Sequence, residues 1–237
     1  MKLRLDKLML HRALVPSRER AQALILAGRV LVNEQKVEKP GTAVDEAASI
    51  RVLGEDLRYV SRGGLKLERA LEHWQIDLQG RSCLDVGAST GGFTDCMLQH
   101  GAARVLAVDT GYGQIDARLR QDSRVTLLEK TNARYLPPGH LPFAIDFFAM
   151  DVSFISATLV LPAVIESIRD KRGPESRSFA GVILVKPQFE AGREAVGKGG
   201  IVRDEATQLA ALERVKKSLA ELGATDIDFI DSPILGA

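Results

Sequence analysis

Three features of this 237-residue chain have the residue types and spacing to do chemistry: a glycine-punctuated turn, two carboxylates one strand apart, and a lysine-aspartate-lysine set spread along the sequence. The turn reads Asp85-Val86-Gly87-Ala88-Ser89-Thr90-Gly91-Gly92-Phe93-Thr94. Its glycines permit tight turning and close backbone approach, with a helix N-terminus behind them. The G-x-x-x-G-G spacing departs from the G-x-G-x-x-G of dinucleotide folds, which argues against nicotinamide chemistry. Asp85 opens the turn and suits a ligand with a cationic amino-acid end, which S-adenosylmethionine has. Asp109, closing the next strand, can accept both ribose hydroxyl hydrogens of an adenosyl group, as an acidic residue does in dinucleotide folds. Asn132, just past the third strand, can reach the adenine edge. Gly87, Ser89, Gly91, Gly92 and Phe93 complete the candidate cofactor site. Either acid alone reads equally well as a helix cap; the pair on successive strand ends does not.

A methyl donor leaves the acceptor to be decided. Base-amino methyltransferases carry an Asp/Asn-Pro-Pro-aromatic tetrad after the fourth strand, whereas this chain reads Asp151-Val152-Ser153-Phe154. Carbon methylation of pyrimidines uses a cysteine nucleophile, but Cys83 and Cys96 fall inside a strand and a helix and read as small core residues. A ribose hydroxyl is a poor acid and asks for a base or for cations that stabilise the developing alkoxide. Lys66, Asp151 and Lys186 fit that need, with Lys186 as base, Asp151 as orienter and Lys66 as positioner of the hydroxyl. Spacing alone would leave Lys66 an ordinary exposed lysine; Lys186, after an apolar run and before Pro187, is harder to dismiss.

The elements that must hold these groups alternate. Strands are expected at Ser82 to Val86, Val105 to Val108, Val125 to Leu128, Ile145 to Met150, Gly181 to Val185 and Ile227 to Ile230, with helices at Phe93 to His100, Ala157 to Arg169 and Ala206 to Leu222. A helical pattern from Arg62, with Trp74 on its apolar face, precedes them. Such βαβ alternation predicts an α/β domain with a mostly parallel sheet, and ligands of these sheets bind at the carboxyl ends of the strands. Glycine-rich Ala191 to Arg203 reads as a lid or a plain loop.

The first sixty residues form a separate, basic α+β region. From Met1 to Lys36 eight cations face three anions. Leu5, Leu8 and Met9 mark a first helix, Ser17 caps a second that runs to Ala27, Gly28 stops it, and short strands follow at Val30 to Val32 and Ser49 to Leu53. Arg4, Lys7, Arg18, Arg20 and Arg29 are the candidate phosphate contacts. The runs Arg4-Leu5-Asp6-Lys7-Leu8, Ser17-Arg18-x-x-Ala21 and Gly28-Arg29-Val30-x-Val32-Asn33 resemble the RNA-binding domain named after ribosomal protein S-four, which implies a face for structured RNA.

Further runs, Ser61-Arg62-Gly63-Gly64-x-Lys66-Leu67, Asp151-Val152-Ser153-Phe154-Ile155-Ser156, Val185-Lys186-Pro187-Gln188-Phe189-Glu190 and Val196-Gly197-Lys198-Gly199-Gly200-x-Val202, resemble the TlyA family. Its members, often labelled hemolysin A, join that RNA-binding domain to an FtsJ-like, Rossmann-like methyltransferase domain. The resemblance implies domains at 1–60 and 61–237 and transfer of a methyl group from S-adenosylmethionine to a ribose 2′-hydroxyl, of cytidine, in ribosomal RNA or ribosomal subunits. It implies a Lys-Asp-Lys-Glu set whose first three members match Lys66, Asp151 and Lys186. The fourth would follow Ser232-Pro233-Ile234, and the sequence stops at Ala237. The expectation is therefore a C-terminally truncated domain lacking its last strand, binding RNA and cofactor better than it turns over.

Composition bounds the alternatives. A net charge of +1 excludes a highly basic packaging protein, two cysteines exclude a disulfide framework, and neither they nor the four histidines have metal-ligand spacing. No apolar run reaches membrane-spanning length and the N-terminus does not read as a signal peptide, so a cytoplasmic protein without membrane contact is expected. A non-catalytic RNA-binding or ribosome-assembly factor is the rival reading, and a cytolysin a weaker one. Oligomeric state is not legible.

Overall fold

Residues 2–15, 17–53, 58–173, 178–191 and 202–234 are described in the computed structural model, and the chain divides into two units, Met1–Asp56 and Leu57–Ala237. In the first unit, strand β1 (Lys2–Arg4) leads directly into α1 (Leu5–His11), followed by α2 (Arg18–Leu26). The Ser17 side chain accepts from Arg20 N at 3.2 Å, satisfying one of the orphan donors at the start of α2. Then come β2 (Val30–Val32), β3 (Gln35–Lys36), β4 (Ala43–Asp45) and β5 (Ile50–Val52). These give an antiparallel sheet in the order β3-β2-β5 and a separate β1–β4 ladder. Strands β1 and β4 are too short and polar to register in the sequence pattern. Leu5, Leu8, Met9, Ala21, Leu24, Ile25, Val30 and Val44 form the buried core.

The second unit opens with α3 (Gly63–His73) and alternates thereafter: β6 (Ser82–Val86), α4 (Gly92–Gln99), β7 (Arg104–Val108), α5 (Ala117–Gln121), β8 (Val125–Leu128), β9 (Phe147–Met150), α6 (Ala157–Arg172), β10 (Ala180–Ile183), α7 (Pro187–Glu190) and α8 (Glu205–Glu221). The five strands are parallel in the order β10-β9-β6-β7-β8. Because strand side chains alternate between faces, Cys83 and Phe147 join Leu67, Phe93 and Met97 in one core, while Leu84, Val86 and Met150 join Val160, Val164 and Ile168 in the other. The register aligns the ends: Val86 is opposite Val108 on one side and Met150 on the other, so Asp109 and Asp151 leave the sheet at the same level.

Two expectations are corrected. Ile227 to Ile230 is not a strand: it has no ladder partner among the described residues, and it faces β10 across a groove of about 1360 Å³ lined also by α8. Trp74 is only half-buried; its Nε1 donates to Asp228 Oδ2 at 3.0 Å, which ties the end of α3 to that segment. The glycine-rich run read as a lid or a plain loop, apart from Ala191, Val202 and Arg203, lies outside the described residues.

Candidate active site

Asp85 sits next to last on the central strand, fully buried. Its Oδ2 accepts from Thr94 Oγ1 at 2.6 Å, and its Oδ1 has no partner. Burial pushes its carboxyl up to about 7, with the Thr94 hydrogen bonds opposing and Asp151 and Asp109 adding repulsion. After β6 the chain turns at Gly87, φ +86°, where a Cβ would lie 2.6 Å from the carbonyl oxygen of Asp151. Only glycine allows this approach, and it brings the turn against the start of the loop after β9. Gly91, φ +94°, ends the turn and begins α4. A Cβ on Gly92 would meet Ser61 Oγ at 2.3 Å and Gly64 N at 2.9 Å, so the bare glycine is what lets the N-terminus of α3 pack here, carrying Lys66 towards β9.

The three candidate catalytic side chains converge. Lys66 Nζ donates to Asp151 Oδ2 at 3.2 Å. Lys186 Nζ stands 2.5 Å from Asp151 Oδ1, close as an ion pair but off-line for a hydrogen bond, and donates to Ser153 Oγ at 2.7 Å. Side chains of Lys66, Asp151 and Lys186 are 21%, 19% and 18% exposed, so the cluster is sheltered yet reachable.

On the cofactor side, both oxygens of Asp109 are already oriented: Oδ2 accepts from Ser89 N at 2.8 Å and Oδ1 from Gly111 N at 2.6 Å. A carboxylate has about four acceptor sites, so capacity remains for hydroxyl donors. Asn132 is exposed, and its Oδ1 accepts from Arg134 N at 3.0 Å, capping the 3₁₀ turn Ala133–Tyr135. Phe93 departs from the expectation in one respect: its ring is buried in the core with Leu67 and Met97.

Three further residues were not assigned to the site from the sequence, Glu190 having been set aside as a stand-in for the missing fourth catalytic residue. Ser153 holds Lys186. Glu190, almost fully buried, accepts from Ala157 N at 2.7 Å and from Ser156 Oγ, so that α7 is clamped to the first turn of α6. Phe154 is 92% exposed with φ +66°, and its ring lies 5.4 Å from that of Phe189. A bulky residue at positive φ is rare. The run Asp151 to Ser156 was the available signal, but nothing in it separates an exposed ring from a packed one.

In the first unit, Arg4 and Arg18 both pair with Asp6, at 3.0 and 2.9 Å. Arg29 Nε donates to the carbonyl of Leu53 at 2.8 Å, Arg20 is half-buried, and Lys7 is exposed.

A parallel sheet in this order, a glycine turn after its central strand and acids on adjacent strand ends define a Rossmann-like methyltransferase that uses S-adenosylmethionine. The chain belongs to the TlyA family of FtsJ-like methyltransferases: the FtsJ-like methyltransferase family matches residues 59–237 and the S4 domain residues 3–50. It is 47% identical over 236 residues to YqxC of Bacillus subtilis, covering 99% of this chain and 82% of the relative. To the 16S/23S rRNA (cytidine-2′-O)-methyltransferase TlyA of Mycobacterium tuberculosis it is 43% identical, covering 98% of this chain and 85% of that one. Hemolysin A of Brachyspira hyodysenteriae is 38% identical, with 99% and 95% covered. A solved structure from Streptococcus thermophilus, named as a hemolysin, superposes with a TM-score of 0.72 at 42% identity, covering 99% of this chain and 84% of that one.

Proposed function

We propose that this protein methylates a cytidine ribose 2′-hydroxyl in ribosomal RNA, with the first unit holding RNA and the second carrying the chemistry. The observation that supports it most is the Lys66–Asp151–Lys186 cluster beside the Gly87 turn. The residues fit the cofactor: the unpartnered Asp85 Oδ1 suits an ammonium, the Gly87 turn leaves room for close approach, and Asp109 suits a ribose diol. Gly91 and Gly92 keep the turn narrow, and Asn132 has its amide nitrogen left for an adenine edge. When bound, S-adenosylmethionine supplies an electrophilic methyl on a sulfonium.

Lys186 is the group placed to receive the proton of the 2′-hydroxyl as its oxygen becomes nucleophilic, with Asp151 beside it. Ser153 keeps that side chain in place. The Lys66 ammonium donates to the same oxygen and stabilises its developing negative charge, which is where preorganised donors count most. Asp151 spaces the two lysines, and such positioning is worth several orders of magnitude in rate. Phe154 offers a face on which the base of a splayed nucleotide stacks.

No helix among the described residues is long and apolar enough to cross a membrane. Ribosomal RNA as substrate puts the work in the cytoplasm, on free RNA or on a ribosomal subunit. The test is methyl transfer from labelled S-adenosylmethionine to ribosomal RNA, with the product located by primer-extension stops. Incorporation at a cytidine 2′-oxygen, lost by at least a hundredfold in Lys186→Ala, is expected; transfer that Lys186→Ala leaves intact, or none to any ribosomal RNA, overturns the reading.

A further inference from the structure

Asp6 is an anion at the centre of a face read as RNA-binding. Its carboxylate is completely buried and accepts from Arg4 Nε at 3.1 Å and Nη2 at 3.0 Å, Arg18 Nε at 2.9 Å, Gln22 Nε2 at 3.0 Å and its neighbour Lys7 N at 2.9 Å. The Arg4 guanidinium, helped by Gln22 and Arg18 and opposed by burial, holds this carboxyl far below the usual range. The arginines themselves reach the surface, with side chains 47% and 42% exposed.

We propose that Asp6 is a positioning residue for RNA: by engaging the Nε edges of Arg4 and Arg18 from below, it fixes their remaining Nη donors as a paired fork for one phosphodiester. An arginine has five N–H donors in a rigid plane. Asp6 takes two from Arg4 and one from Arg18, which leaves further N–H groups on both of these partly exposed side chains. Two guanidiniums against one carboxylate keep the site cationic. Long arginine side chains held in advance lose less freedom when a phosphate arrives, and charge-assisted bonds to phosphate are strongest when the fork is aligned.

The inference rests on the reading of this unit as the RNA-holding part, and its test separates the two. Binding of a ribosomal RNA fragment is followed by fluorescence anisotropy across a salt series. General electrostatics makes Asp6→Asn bind RNA more tightly, since an anion is removed. Positioning makes it bind about tenfold more weakly, with a log-log salt slope shallower by about one. Arg18→Lys keeps the charge, breaks the fork and leaves Asp6 paired with Arg4; it is expected to show the same loss with an unchanged thermal midpoint, so the proposal survives even if Asp6→Asn does not fold. Unchanged or tighter binding by folded Asp6→Asn, or wild-type affinity and slope in Arg18→Lys, overturns it. Lys7→Gln and Arg20→Gln are read alongside. If they weaken binding while the fork variants do not, positioning alone falls; if none of the four matters, the RNA-face reading falls with it.

Discussion

At the scale of single residues, the sharpest consequence concerns Asp85. A carboxyl raised to about 7 by burial binds a proton in the folded protein that the unfolded chain has already lost. Its contribution therefore favours folding at low pH and erodes as pH climbs from its ordinary range towards 7. With the cofactor placed as proposed, its binding runs the other way, because an ammonium at Oδ1 favours the ionised acid. Affinity for S-adenosylmethionine should fall by up to about tenfold for each pH unit below 7 and level off above it. Isothermal titration at pH 6, 7 and 8 measures this, and a flat profile removes Asp85 from the cofactor's ammonium. The convergence of Lys66, Asp151 and Lys186 was legible because strand ends and a glycine turn mark the place. The partners that hold them were not: Thr94 and Ser153 are small hydroxyls whose value is set by distances of 2.6 and 2.7 Å that no spacing encodes.

At the scale of elements, the five central strands were readable from their apolar runs, and the helices from caps and periodicity. Ile227 to Ile230 misled because apolar Ile227, Phe229 and Ile230 state only a willingness to pair, and pairing needs a neighbour. The clamp between α7 and α6 was invisible for a related reason: Glu190 lies 33 residues from the Ala157 amide it caps. Both oxygens of a buried carboxylate are engaged there, and α7 begins directly after Lys186. Replacing Glu190 with Ala should cost about 1–3 kcal/mol of stability, and by loosening α7 it should lower kcat more than it raises KM for cofactor. Denaturant melts and steady-state rates test the pair; a variant equally stable and equally fast shows that the clamp positions nothing.

At the scale of the molecule, the two units carry different physics. The first is small and short-stranded, with an ion-pair network around Asp6 beside its core; the second is a sheet covered on both faces. Both outer strands of that sheet, β8 and β10, have a strand on one side only among the described residues, and α5 packs against β8. On the other side the outer backbone of β10 has no strand beside it among the described residues. Unpaired N–H and C=O groups along a sheet margin invite another chain to add itself. Concentrated solutions should therefore show mass growing with concentration in light scattering, and Val182→Lys, at the middle of β10, should suppress the growth. If scattering stays constant over a hundredfold range of concentration, the margin is protected in solution.

The same margin bears on how Lys186, the proposed base, is held. Lys186 follows β10 by three residues, so whatever stiffens or frays that outermost ribbon is felt at the amine proposed to meet the sugar oxygen. A polypeptide zipped onto the ribbon would quiet it without touching the reacting groups, and the tempo of methylation would then report on a neighbour lying along the opposite side of the strand.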